Sequence, residues 1–319
     1  MKAAVVSSFG SPPRYQDFPD PVAGGDGEMV VDVLAAGLHP RVRSQANGSH
    51  YTSTDELPLV PGIDGVGRGS DGLLRYFVLP DTTLGAMAER TVIDTRRSVV
   101  LPPGTDPVPV AAAMNPAMAS WVALRQRVQF QAGQDVLVLG ATGNAGQMAV
   151  EIARLLGAGR IVAAGRNAET LATLPAAGAT DTLSLAGDPE NAARDLGRVA
   201  GDVDVVIDFL WGEPTAAAMT AIVTGRPDRG KPLTWVEIGS VAGRTAEIPS
   251  AALRAARLTI VGSGQGSVGA REYLAEIPAL AEAIAEGTLE VQARAMPLAD
   301  VEEAWAAAGD VAHRIVLTP

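Results

Sequence analysis

The chain has 319 residues, 47% of them hydrophobic, enough to bury one large core and leave room for a second. A net charge of −11, with Lys2 and Lys231 as the only lysines, argues against nucleic acid, and the absence of cysteine excludes disulfides, thiolate catalysis and cysteine-based zinc sites. No run approaches the ~20 apolar residues of a membrane span and the apolar start at 3–6 is too short for a signal peptide, so a soluble cytoplasmic protein is expected.

Up to about Pro116 the chain is rich in glycine and proline. Residues 3–6, 29–35, 75–79, 89–93 and 99–101 read as short strands, and Pro12, Pro13, Pro19 and Pro21 forbid a helix between the first two. This texture predicts a compact β domain. From Val110 onward the pattern changes, and 111–128 reads as a helix interrupted at Pro116. Strands at 136–139, 160–164, 181–183, 203–209, 234–238 and 258–261 then alternate with helices near 145–156, 168–174, 189–200 and 214–223. Six strands with crossover helices predict an α/β fold, a Rossmann-type doubly wound parallel sheet. The tail reads as a helix (271–286), a strand (289–293), a helix (301–308) and a last strand (313–317). It does not extend the alternation, so it is expected to return to the first domain. The expected boundaries are 1–117, 118–262 and 263–319.

The most informative segment joins the first strand of the alternation to its helix: Gly140, Ala141, Thr142, Gly143, Asn144, Ala145 and Gly146. A glycine-rich turn between a buried strand and an amphipathic helix is a dinucleotide-binding pattern. Gly143 would let the backbone approach a pyrophosphate, and Gly146 would let helix and strand pack closely. The helix N-terminus would face the anion with free N–H groups. Ala141 stands where the usual pattern has its first glycine, and Asn144 is expected to cap the helix beside the pyrophosphate. An NAD site calls for an acidic residue about 20 positions on. Arg166 ends the next strand instead, and a cation there can pair with a 2′-phosphate. The implied cofactor is NADPH.

Three further segments carry a family resemblance: Met1-Lys2-Ala3-Ala4-Val5-Val6 before Phe9-Gly10, Val31-Asp32-Val33-Leu34-Ala35-Ala36-Gly37, and Leu59-Val60-Pro61-Gly62-Ile63-Asp64-Gly65-Val66-Gly67. With the glycine turn they make the chain resemble, over essentially its whole length, the medium-chain dehydrogenase/reductase superfamily in its zinc-independent quinone-oxidoreductase-like branch. The resemblance implies a GroES-like β-rich catalytic domain, completed by the C-terminal tail, beside the Rossmann domain. Zinc-dependent members carry a Cys after the second landmark and Gly-His-Glu in the third, where this chain has His39 and Ile63-Asp64. His39 and Asp64 could supply two ligands, but no third is visible, so no metal is expected. Asp64 instead reads as holding the turn between Gly62 and Gly65.

Zinc-free members have an Asn-Pro pair followed by a Tyr. Here the pair is His39-Pro40 and the tyrosine is Tyr51, with Val42 where an Asp is usual. Asn115-Pro116 is similar to a cleft segment of enoyl reductases, with Met118 where they have a threonine. By this resemblance Tyr51 is the candidate donor to a developing enolate or phenolate. His39 either donates or relays a proton or is simply hydrogen-bonded beside Pro40. Ser240 ends the fifth strand on its carboxyl side and either approaches the cofactor or begins a loop. The segment Gly262-Ser263-Gly264-Gln265-Gly266 resembles the loop that meets the nicotinamide amide, which makes Ser263 a further candidate contact.

The expected activity is zinc-independent, NADPH-dependent hydride transfer to a quinone or an α,β-unsaturated carbonyl compound, a small electron-poor acceptor. A 2-enoyl thioester reductase, an NADPH-binding regulatory or structural protein without turnover, and a zinc enzyme with unusual ligands are the alternatives. A homodimer paired along 258–261 is implied by the resemblance. Short-chain reductases are excluded, because no Tyr is followed four residues later by Lys, and the spacing of a hydrolase nucleophile elbow is absent.

Overall fold

The computed structural model describes residues 1–264, 266–289, 291–308 and 313–319. It divides into two compact units, Met1–Asn115 with Leu274–Pro319, and Pro116–Tyr273. In chain order, the first unit contains β1 (Lys2–Val5), β2 (Arg14–Asp17), β3 (Glu28–Leu38), α1 (Pro40–Ala46), β4 (Asp64–Gly69), β5 (Leu74–Val78), β6 (Arg90–Asp94) and β7 (Ser98–Val100). Helix α2 (Pro107–Val122) leads into the second unit. That unit contains β8 (Val136–Leu139), α3 (Asn144–Leu155), β9 (Ile161–Gly165), α4 (Ala168–Ala177), β10 (Asp181–Ser184), α5 (Pro189–Ala200) and β11 (Val205–Asp208). It continues with α6 (Gly212–Gly225), β12 (Leu233–Glu237), α7 (Ser250–Ala255) and β13 (Leu258–Gly262). Helix α8 (Ala270–Ala285), β14 (Ala293–Pro297), α9 (Val301–Ala307) and β15 (Arg314–Thr318) follow.

The first unit is built mainly on antiparallel pairing, with β14 and β15 a parallel pair. Strands β14, β15, β3, β4, β5 and β7 lie side by side in that order, β6 also pairs with β3, and β1 pairs with β2. The tail does return to this unit: β15 pairs antiparallel with β3, Ile315 opposite Leu38 and Leu317 opposite Ala36. Ile315 and Leu317 share one apolar cluster with Ala3, Val5, Val31, Val33, Phe77 and Met87. Alternation of buried and half-buried positions along β6 fits a sheet with one face in the core.

The second unit is a six-stranded sheet in the order β10-β9-β8-β11-β12-β13. Every neighbouring pair is parallel. That is the doubly wound order, with its reversal between β8 and β11. Strands β8 and β11 are buried along their whole length, so they read as continuous apolar runs and not as alternation.

Several local readings change. Pro116 does not interrupt its helix: α2 runs through it and ends in a π-turn over Ala123–Arg127. The missing N–H removes one helical bond, but Ala111, Ala112, Ala113 and Met114 are all buried, and packing outweighs propensity. Both division points fall inside helices, at 115/116 in α2 and 273/274 in α8, so no glycine- or proline-rich linker marks them. The strand expected at 289–293 includes residue 290, outside the described residues, and β14 begins only at Ala293. Helix α1, with Pro40 in its first turn where a missing N–H costs nothing, was not legible as a helix.

A buried arginine ties the second unit together away from any expected site. Arg226, 4% exposed, donates to the carbonyls of Gly201, Val203, Lys231 and Pro232 at 2.9–3.2 Å. It thereby fastens the ends of α5 and α6 to the start of β12. Arg226→Met strands these acceptors, and urea unfolding followed by circular dichroism should show a loss of about 3 kcal/mol. An unchanged midpoint would contradict this role.

Candidate cofactor and active site

Strand β8 delivers the chain to the sheet's carboxyl edge, and Gly140 turns it with φ +84°. The N–H groups of Gly140 and Ala141 both donate to the Ala164 carbonyl at 2.9 Å, pinning the turn to β9. Gly146 is required by packing: a Cβ there would sit 2.2 Å from the Gly140 oxygen and 2.6 Å from the Ala141 Cα. Gly143 is different, since its added Cβ would meet nothing nearer than the Gly140 oxygen at 3.6 Å. One glycine lets α3 start against β8, and the other leaves the face above the turn clear.

The expected cap is not formed by Asn144. Gly143 is the N-cap residue (φ −80°, ψ 159°), no side chain caps the helix, and Asn144 is its first helical residue. A helix begins with orphan N–H groups, and here no side chain occupies them. Asn144, Ala145 and Gly146 therefore present first-turn backbone donors above an open glycine, a cradle that fits a pyrophosphate. Thr142 lies across the end of β9, where a Cβ on Gly165 would come within 2.5 Å of its Cγ2. Arg166 follows directly, exposed and with no ion pair among the described residues. Asn167 then caps α4, its side-chain oxygen accepting from the Thr170 N–H at 2.9 Å.

The parallel register brings the other candidates to the same edge. Leu139 lies opposite both Ala164 and Asp208, Asp208 opposite Glu237, and Glu237 opposite Gly262. Ser240 is exposed three residues beyond β12, and Ser263 is buried immediately after β13, its N–H donating to the Glu237 carbonyl at 2.8 Å. Gln265, in the loop expected to meet the nicotinamide, is outside the described residues.

Sequence reasoning missed the group that organises this edge. Asp208 is fully buried, and one carboxylate oxygen accepts from the N–H groups of Leu210 (2.8 Å) and Trp211 (3.2 Å). The other accepts from the Thr215 hydroxyl (2.6 Å) and the Trp235 indole N–H (2.9 Å). An acidic residue closing the apolar run Val205-Val206-Ile207 was the available signal. Nearby, burial and the Asp208 charge push the Glu237 carboxyl above the usual range.

In the first unit, His39 and Asp64 come together, but as partners of each other. His39 Nε2 lies 3.2 Å from Asp64 Oδ1, and the Tyr76 hydroxyl donates to Asp64 Oδ2 at 2.8 Å. His39 and Asp64 are each 2% exposed. Burial holds the His39 imidazole below its ordinary pKa, outweighing the hydrogen bond and charge of Asp64, which act in the opposite direction. Arg314, on β15, is pushed down to about 10 by burial and donates to the Leu38 carbonyl at 3.3 Å. Val42, where an Asp is usual in the family, is wholly buried in the core.

Tyr51 has the opposite setting. It is 72% exposed and stacks on His50, ring centroids 4.2 Å apart and planes 29° apart. The turn is braced from below: Thr52 bonds to His50 Nδ1 at 2.9 Å and donates to Asp81 at 2.6 Å, and Arg41 donates to both Thr52 and Asp81.

No family model matches the chain. A probable NADPH-dependent quinone reductase of Emericella nidulans is 30% identical over 362 aligned residues covering all of both chains. This chain belongs to the medium-chain dehydrogenase/reductase superfamily, among its quinone-oxidoreductase-like members. The superfamily fold is seen again in the quinone oxidoreductase of Thermus thermophilus, described together with its NADPH complex. The two match over their full lengths with a TM-score of 0.82 and 27% identity. A mitochondrial enoyl-[acyl-carrier-protein] reductase of Caenorhabditis elegans is 27% identical over 168 residues, 49% of this chain and 48% of its own. Among the described residues no helix is long and apolar enough to cross a membrane.

The His39 pair gives this member a pH signature. Its folded-state pKa lies below the ordinary 6.5, so the unfolded state binds the proton more readily. The stability His39 confers by staying neutral is complete above about pH 6.5 and is lost as pH falls from there through its lower folded value. Chemical unfolding between about pH 7.5 and 5.5 should therefore show a steeper loss for the native chain than for His39→Gln. Parallel profiles would show that His39 does not carry the charge change.

Proposed function

We propose that this chain is an NADPH-dependent, zinc-independent reductase that passes hydride to a quinone or an α,β-unsaturated carbonyl acceptor. The carrying observation is the uncapped, glycine-floored turn at 140–146 with Arg166 exposed at the end of the adjoining strand. It suits a pyrophosphate beside a 2′-phosphate, and the relatives named for NADPH-dependent quinone reduction support it. Gly140, Thr142, Gly143, Asn144, Ala145 and Gly146 would hold the pyrophosphate, Arg166 the 2′-phosphate, and Ser240 and Ser263 the nicotinamide half.

NADPH supplies the hydride, and the chain's own residues supply binding, orientation and the proton. A reduced quinone or enone leaves an oxyanion that must be neutralised. Tyr51 is the donor in this reading: its phenol is exposed, its ring is steadied by His50, and solvent can return the proton. His39 serves as a positioning residue, kept neutral and paired with Asp64 between the end of β3 and the start of α1. Zinc has no fitting donor set to support it: the chain lacks cysteine, and among the described residues no three His, Asp or Glu cluster as metal ligands. Within a cytoplasmic setting, the exposed residues Thr259 and Ile260 on the outer strand β13 support a homodimer paired along that edge.

The partial likeness to an enoyl reductase favours one second reading, a 2-enoyl thioester reductase. NADPH oxidation measured against a benzoquinone, a simple enone and a 2-enoyl thioester separates them, with faster turnover of the first two expected. Preference for the thioester would establish the second reading, and NADPH binding without turnover of any acceptor would point to a regulatory role. Arg166→Ala should weaken NADPH about tenfold or more while leaving NADH nearly unchanged. Equal losses for the two cofactors would remove the 2′-phosphate assignment.

A further inference from the structure

Trp211 adopts a backbone conformation that its side chain does not favour. With φ 51° and ψ −172° it lies next to the region otherwise left to glycine, and among the described residues it is one of two non-glycine residues with positive φ, the other being Gln129. The Asp208 carboxylate over-determines this geometry, since the oxygen that receives the Trp211 N–H also receives that of Leu210. The adjoining core gives no reason for it. Leu210 packs against the apolar cluster that includes Ala218, Met219 and Ile222 of α6, whereas Trp211 is not part of that cluster. The indole N–H has no partner among the described residues, and the residue remains partly accessible.

The location supplies the reason. A Cβ on Gly140 would meet the Leu210 side chain at 3.1 Å, so this loop lies directly against the glycine turn. On its other side the Ala242 N–H donates to the Leu210 carbonyl at 2.8 Å, tying the loop to the segment that carries Ser240. Trp211 thus stands at the carboxyl edge on the β11 side of the reversal, opposite the β9 side that carries Arg166. In a doubly wound sheet the two mononucleotide halves of a dinucleotide lie on opposite sides of that reversal.

We propose that Trp211 is a cofactor-positioning residue, its indole lying against the nicotinamide–ribose half of NADPH and its N–H open to a ribose or pyrophosphate oxygen. The backbone held by Asp208 fixes where the side chain leaves the loop before the cofactor arrives, so the backbone needs no further ordering on binding. This rests on the NADPH reading above, and the test separates the two. Binding of NADPH and of 2′,5′-ADP, which lacks the nicotinamide half, is measured by calorimetry on the full chain and on Trp211→Gly and Trp211→Phe.

Trp211→Gly should bind NADPH about tenfold more weakly. It should hold 2′,5′-ADP unchanged and melt at or above the wild-type temperature, because glycine relieves the strain. Trp211→Phe should keep most of the affinity. The inference is overturned if Trp211→Gly binds NADPH like the wild type, loses both ligands equally, or melts well below it, the mark of an indole that serves packing. A wild-type chain that binds neither ligand overturns the cofactor reading itself and this inference with it.

Discussion

The carboxyl edge of the parallel sheet hangs on one buried carboxylate. Asp208 accepts from two backbone N–H groups, a threonine hydroxyl and an indole N–H, so its charge is matched by four donors drawn from the loop after β11, from α6 and from β12. A buried charge without such partners would be expelled or neutralised. With them, it fixes the loop beside the glycine turn, the start of α6 and the end of β12 relative to one another. The glycine turn depends on this neighbour as much as on its own sequence, because Phe209 and Leu210 crowd Gly140, whose positive φ already favours glycine.

The first unit solves a similar problem with a different set of groups. His39, Asp64 and Tyr76 bond to one another in the interior, at the second and third landmarks of the sequence, while the buried His39 Nδ1 has no partner among the described residues. Each oxygen of the Asp64 carboxylate thus has one partner, the imidazole on one and the phenol on the other. Tyr51 is exposed on this unit, stacked on the half-buried His50, on a turn held by Arg41 and Asp81.

The glycine turn, the six strands of the parallel sheet and the return of the tail were legible in the sequence. Buried parallel strands are short apolar runs, and glycines with distinct steric roles leave a spaced pattern. Asp208 was not legible, because its partners Thr215 and Trp235 lie 7 and 27 residues away and only the fold brings them to it. The same holds for His39 and Asp64, separated by 25 residues and read from sequence as a candidate acid and a turn residue. Asn144 misled for a local reason: Asn is a common cap, but the cap position fell on Gly143, one residue earlier. Trp211 could not have been read at all, since no composition rule anticipates a tryptophan at positive φ.

The two units also differ in how they can be made. The second is contiguous from Pro116 to Tyr273 and closes its sheet from neighbouring strands. The first needs β15, whose pairing with β3 joins residues more than 270 positions apart. During synthesis the whole parallel unit emerges while β3 still lacks this neighbour, so its hydrogen-bonding edge and the apolar surface meant for Ile315 and Leu317 stay uncovered until β15 has been made. Translation therefore imposes an order on assembly, the nucleotide-binding half first, and leaves the other half dependent on chaperoning or on speed for its solubility in the interval.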